Sequence, residues 1–258
     1  DWELHGVVLR RGADDAWDGG CLATGSVLAV DGGYLMAYTA RWGEPEVATG
    51  LAHSPDLSTW TKDPANPASR PAAGYVTDRP WSGRPPTHWR DPFLRRSATG
   101  RLQQLVTAAV ADRPDDASGA VAVIERSDDG RWTVGAPLDV EPVARELECP
   151  QVVQVDGCWF LVFSTWPHLF SGAVRDRSGG DLRPGTYAMV GDGPDGPFRL
   201  AHPEPIVAAD HPVQPYAGQV IVFRGRPVLI GTVWRDDEPD FLCDPIPLTR
   251  EGDRLTSA

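Results

Sequence analysis

Apolar and polar residues alternate in short runs along this chain, and Gly- or Pro-containing turns punctuate the runs. That period-two pattern predicts β-strands, and the even spread of the turn residues argues against long helices. Four segments share one longer pattern: a small residue or Pro, an alternating strand, a Gly turn, then a second apolar strand. They span residues 25–39, 92–107, 150–164 and 218–232, and their starts are 67, 58 and 68 residues apart. Asp31-Gly32 and Asp156-Gly157 are tight-hairpin signals inside two of them. Further short strands follow the first three hairpins, at 47–53 and 59–61, at 119–125 and 132–134, and at 186–190 and 198–200.

Each repeat therefore reads as four antiparallel strands, which is the make-up of a β-propeller blade. Two sheets packed as a sandwich are the competing architecture, and four registered repeats favour the propeller. Residues 1–258 are expected to form a single all-β propeller domain. Trp2–Leu9 resembles only the outer edge of a further blade, and the inner strands of that first blade are not in the sequence. The expectation is that they lie upstream of Asp1.

Composition narrows the function. The 258 residues carry 41% hydrophobic side chains, enough for a sizeable core, and a net charge of −12. A nucleic-acid partner needs clustered positive charge and is not expected. No apolar run reaches the ~18 residues of a membrane span, and no basic segment leads into an apolar one, so no membrane partner and a cytoplasmic location are expected. The cysteines Cys21, Cys149, Cys158 and Cys243 form no C-x-x-C pair, and the six histidines show no ligand spacing. Neither a metal site nor another cofactor is expected. Oligomeric state is not legible.

In a propeller the first strand of each blade lines the axis, so equivalent residues converge on one mouth. In register, the residues just before the four repeats are Ala23-Thr24, Arg90-Asp91, Glu148-Cys149 and Tyr216-Ala217. Asp91 and Glu148 thus occupy neighbouring slots. Paired carboxylates, one protonated and one ionised, are what glycoside cleavage requires. The structural alternative makes Asp91-Pro92 a turn and Glu148 a surface carboxylate. Tyr38, Trp42, Trp166 and Trp234 end the second strands at the same mouth, where their faces would pack on sugar C–H surfaces or fill the core.

Trp89-Arg90-Asp91-Pro92 resembles the R-D-P motif of family 32 glycoside hydrolases, the β-fructofuranosidases, and Glu148-Cys149-Pro150 resembles their E-C-P motif. Gly20–Ser26 resembles their G-C-x-S-G-S stretch. His53–Trp60 matches the S-x-D-L-x-x-W turn common to families 32, 43 and 68. The resemblance implies a five-bladed propeller, its first blade incomplete here, and retaining double displacement on a small β-fructofuranoside such as sucrose or a short fructan. It makes Glu148 the general acid/base. Asp91 would hold fructosyl hydroxyls and stabilise the oxocarbenium-like transition state, and Arg90 would position the sugar. Trp42, Trp166, Tyr216 and Trp234 join the expected substrate-binding set.

The family's nucleophile is an Asp in an N-D-P-N-G-like motif well upstream of the G-C-x-S-G-S stretch, and no such motif precedes Cys21 here. Asp14, Asp15 and Asp18 are the nearby carboxylates. Asp18 is the candidate substitute, or a substrate-binding group, against the plainer reading of a turn residue. Two other readings compete: a sugar-binding propeller without the nucleophile, and a family 43-type inverting pentosidase.

Overall fold

The alternation of the four repeats becomes four antiparallel sheets, each with its strands in chain order. The computed structural model describes residues 3, 5–76, 88–234 and 240–258. Trp2 and Leu4 of the expected edge strand, and residues 77–87 of the long connection at 63–88, lie outside the described residues. The first sheet holds β1 (Leu22–Val30), β2 (Gly33–Ala40), β3 (Ala48–Ser54) and β4 (Thr61–Lys62). The second holds β5 (Trp89–Arg96), β6 (Leu102–Ala109), β7 (Gly119–Arg126) and β8 (Trp132–Val134). The third holds β9 (Glu148–Val155), β10 (Cys158–Thr165), β11 (Gly185–Gly191) and β12 (Phe198–Arg199). The fourth runs through β13 (Tyr216–Phe223), β14 (Arg226–Val233), β16 (Ile246–Glu251) and β17 (Arg254–Ser257), with β15 (Phe241–Leu242) also pairing β14. This is an all-β propeller fold of antiparallel blades. Among the described residues the one α-helix is a single short segment, Gly172–Arg177, and no helix is long and apolar enough to cross a membrane.

Two compact units divide the chain, residues 1–108 with 122–136 and residues 109–121 with 137–258. In the first, β5 packs against β1, β2 and β3. Leu35, Ala37, Leu51 and Leu94 form one buried cluster there, and Trp89, Val106, Ala122 and Ile124 belong to another. In the second unit β13 packs against β9, β10 and β11 around Phe160, Val162, Ile206, Leu229 and Ile246. Burying each such side chain is worth about 1.5–3 kcal/mol.

The turns between third and fourth strands explain one sequence motif. Asp56 accepts hydrogen bonds from the Thr59 and Ser58 amides at 2.7 and 2.8 Å. The Trp60 indole N–H donates to the Leu57 carbonyl at 2.8 Å, and Leu57 takes a left-handed φ of 66°. The S-x-D-L-x-x-W segment is therefore a self-capped turn, with Asp standing in for missing backbone acceptors. The Ser127–Trp132 turn repeats the idea, with Asp129 accepting from Ser127 and from the Arg131 amide.

Four blades form, and the expected partial fifth does not. Among the described residues before Leu22 there is no strand. An edge strand needs a neighbour to satisfy its amides, and this segment is fastened by side chains instead. The Arg41 guanidinium donates to the carbonyls of Trp17, Ala16 and Asp14 at 3.1, 2.7 and 3.0 Å. Asp18, 2% exposed, is ion-paired with Lys62, the chain's single lysine. Leu9, Trp17 and Leu22 pack on Tyr38, Ala40 and Ala52. The Tyr38 hydroxyl is buried without a hydrogen bond of good geometry. Burial first, and then the Asp18 charge, pushes its pKa well above the usual phenol value.

Two outcomes are expected. The Thr59 and Ser58 amides hold the Asp56 carboxyl below its ordinary pKa. A carboxylate depressed in the folded state stabilises above its unfolded pKa, and that stabilisation is lost as pH falls through the folded value. Asp56→Ala should therefore lower the thermal midpoint at neutral pH, and the gap from wild type should close below about pH 4. A gap that stays constant to about pH 2 would contradict the assignment. Asp18→Asn should cost about 1–3 kcal/mol in denaturant unfolding, because it leaves a charge-assisted pair half made.

Candidate active site

Every blade breaks its alternation at the same place. The pairing of first and second strands shifts register between Ala23 and Gly25 in β1, Arg90 and Phe93 in β5, and Tyr216 and Gln219 in β13. In β9 the shift lies opposite Val162–Ser164, next to Glu148. Three of these β-bulges hold a non-glycine residue in the left-handed region: Asp91 at φ 56°, Cys149 at 50° and Ala217 at 51°. Each costs on the order of 1–3 kcal/mol, so the surroundings must impose it. Pro92 and Pro150 follow two of the bulges, where a missing amide donor is tolerated. In the first blade Gly25 holds the corresponding place; a β-carbon there would sit 1.9 Å from the Ala37 carbonyl oxygen.

In the first unit the bulge presents Asp91, which is 7% exposed. Thr24 donates to Oδ1, Thr107 donates to Oδ2 at 3.1 Å, and the Arg90 Nε lies 3.4 Å from Oδ2. The Asp91 amide donates to the Thr39 hydroxyl at 2.9 Å, and Thr39 in turn donates to the Thr24 carbonyl at 3.0 Å. Ser26 donates to the Pro92 carbonyl at 3.0 Å and accepts from the Leu94 amide at 2.7 Å. The G-C-x-S-G-S-like stretch thus supplies the hydroxyls that seat the R-D-P bulge. Sequence reasoning missed Thr24, Thr39 and Thr107; the signal was a hydroxyl residue near the start of one first strand and near the ends of two second strands. The structure brings Arg90 and Asp91 together as a buried pair.

Asp18 and Trp42 lie elsewhere in that unit. Successive β2 side chains face opposite sides of the sheet. Thr39 faces Asp91, whereas Tyr38 lies on the side carrying Asp18 and Lys62. Asp18 is therefore across the first sheet from Asp91. Trp42 is 42% exposed in the loop after β2, where its amide donates to the Cys21 carbonyl.

In the second unit Glu148, Trp166, Tyr216 and Trp234 come together. The Tyr216 hydroxyl donates to Glu148 Oε2. Its ring centroid lies 4.7 Å from that of Trp234 and 5.6 Å from that of Trp166. The two indoles stack at 5.5 Å and 12°. Tyr216 is 6% exposed and Trp234 48%. Gln151 fastens β9 to β13 by donating to the Val220 carbonyl and accepting from its amide, at 2.8 and 2.7 Å. A half-buried carboxylate beside an open aromatic surface can exchange a proton with a bound sugar whose apolar face rests on the indoles. Among the described residues no three His, Cys, Asp or Glu side chains are grouped to hold a metal ion.

No family model and no curated protein sequence matches the chain. Solved structures do. A family 32 β-fructofuranosidase of Bombyx mori aligns with a TM-score of 0.62 and 17% identity over 91% of this chain and 49% of its own. An inulosucrase from Halalkalicoccus jeotgali, bound to kestose, aligns at 0.66 and 21% identity over 92% and 69%. A thermostable family 43 glycoside hydrolase aligns at 0.67 and 17% over 100% and 81%. The chain spans about half the length of the Bombyx mori enzyme. At these identities the likeness is one of fold: the chain has the β-propeller fold found in glycoside hydrolases of families 32 and 43 and in the levansucrase and inulosucrase enzymes of family 68.

Proposed function

We propose that the protein is a glycoside hydrolase that cleaves small β-fructofuranosides, sucrose or short fructans, with retention of configuration. The observation that carries this is Glu148: it opens the E-C-P motif at a strained bulge, its carboxylate is anchored by Tyr216, and stacked indoles lie beside it. In this reading Glu148 protonates the leaving oxygen and later deprotonates the attacking water. Asp91, held by Thr24 and Thr107, accepts hydrogen bonds from fructosyl hydroxyls, and Arg90 orients the sugar. Trp166 and Trp234 take the sugar's apolar face. Neither motif supplies the nucleophile of the double displacement, and Asp18, ion-paired with Lys62, is not assigned that role.

One observation favours a second reading. The family 43 enzyme aligns over the whole of this chain and over more of its own length than the family 32 enzyme does. That reading makes the protein an inverting pentosidase. The substrate turned over and the anomer released first separate the two, since retention delivers a sugar of the substrate's own anomeric configuration and inversion the opposite one.

The test is an assay of the full-length protein on sucrose, short fructans and arabinofuranosides, with proton NMR of the first product. Glu148→Gln should lower turnover about 10²–10⁴-fold. Unchanged turnover in that variant would remove Glu148 from the chemistry. Binding without turnover on every substrate would make the protein a sugar-binding propeller.

A further inference from the structure

Tyr216 is badly placed to meet a sugar and well placed to meet Glu148. Only 6% of it is exposed, and Trp234 and Trp166 pack on its ring. Its hydroxyl donates to Glu148 Oε2. The backbone fixes that meeting. Glu148 and Tyr216 each immediately precede a left-handed residue, Cys149 and Ala217, in β9 and β13. The two strands pack on one another, and the paired Gln151–Val220 bonds lock their offset a few residues on. Gln219 adds a further tie by donating to the Cys149 carbonyl at 3.4 Å.

We propose that Tyr216 is a positioning residue for Glu148, holding its carboxyl group in place for proton transfer to the glycosidic oxygen. The inference rests on the reading of Glu148 as general acid. In the first step the Glu148 proton passes to the leaving oxygen. The electron pair of the breaking C–O bond stays on that oxygen, and Glu148 is left as a carboxylate. The Tyr216 O–H therefore faces a neutral acid before the step and a developing anion during it. A hydrogen bond to an ionised acceptor is roughly twice as strong as one between neutral groups. The contact strengthens along the reaction coordinate, which is the condition for lowering the barrier.

The test uses leaving groups that differ in their need for a proton. Tyr216→Phe keeps the ring among the indoles and removes only the hydroxyl. The glucose of sucrose leaves as an alkoxide unless protonated, whereas the p-nitrophenolate of a p-nitrophenyl β-fructofuranoside departs with little help. Tyr216→Phe should lower kcat/KM on sucrose about 10–100-fold and on the aryl substrate by a few-fold at most, with the thermal midpoint retained. Glu148→Gln should show the same divergence, larger. If Glu148→Gln diverges between the substrates and Tyr216→Phe slows both equally or neither, the positioning role is wrong while the acid assignment stands. If Glu148→Gln itself shows no divergence, Glu148 is not the acid and both readings fall.

Discussion

The bulge near the start of each first strand, left-handed in three of the four, is the constraint on which the rest depends. A regular strand sends successive side chains to opposite faces. Arg90 and Asp91, or Glu148 and Cys149, would then be divided between two sheet faces with no say in where either points. The bulge adds a residue, twists the strand and re-aims the side chains beside it. It is unfavourable in isolation, and for Asp91 and Cys149 no glycine relieves it. What imposes it is the neighbouring blade. Thr39 takes the Asp91 amide that the ladder leaves unpaired, and Ser26 takes the Leu94 amide just beyond. In the second unit Thr186 accepts the Gly218 amide at 3.0 Å in the same way. Blade packing and site geometry are thus one interaction seen from two sides.

The two carboxylates are held by different chemistry. Hydroxyls donate to both oxygens of Asp91, and the Arg90 guanidinium stands beside it. Those contacts fix the position of the carboxylate from several sides. Glu148 is held on one oxygen by a phenol among aromatic rings. A phenol tolerates both the protonated and the ionised acid, and aromatic surroundings limit water. In the reading proposed above Glu148 is the group that cycles its proton, and a phenol can donate to it in either state.

Much of the fold was legible because the repeat is long and its alternation clean. The second strands ended where the pattern said, at Thr39, Thr107, Ser164 and Thr232 or one to two residues beyond. The first strands began up to three residues earlier than the pattern allowed, because the bulge interrupts the alternation between Leu22 and Gly25, Trp89 and Pro92, and Glu148 and Pro150. The fourth blade's outer strands were missed. β15 is two residues long, and β16 and β17 carry polar residues on an open edge, so neither shows an apolar run. For the site, Glu148 and Asp91 were legible as motifs. Their holders were not, because Thr24, Thr107 and Tyr216 meet them from 67, 16 and 68 residues away. Asp18 read as a candidate carboxylate because sequence shows charge and hides burial. Its partner Lys62 is 44 residues on, in the last strand of the first sheet.

The four residues that precede the bulge positions are Ala23, Arg90, Glu148 and Tyr216. Each stands beside a bulge, left-handed in all but the first blade, yet one is inert, one cationic, one a carboxylate and one a hydrogen-bonding phenol. Fold likeness at 13–21% identity speaks to that shared backbone and leaves the occupants undetermined. Function is therefore carried by the slots. A propeller that kept every strand but replaced Glu148 with alanine would keep its bulges, since Thr186 and Gln151 hold β9 and β13 through groups other than the Glu148 carboxylate. It would lose the Glu148 carboxylate alone. The reverse change is harder: a glutamate placed at Ala23 would gain a carboxylate without a Tyr216 packed against two indoles to hold it.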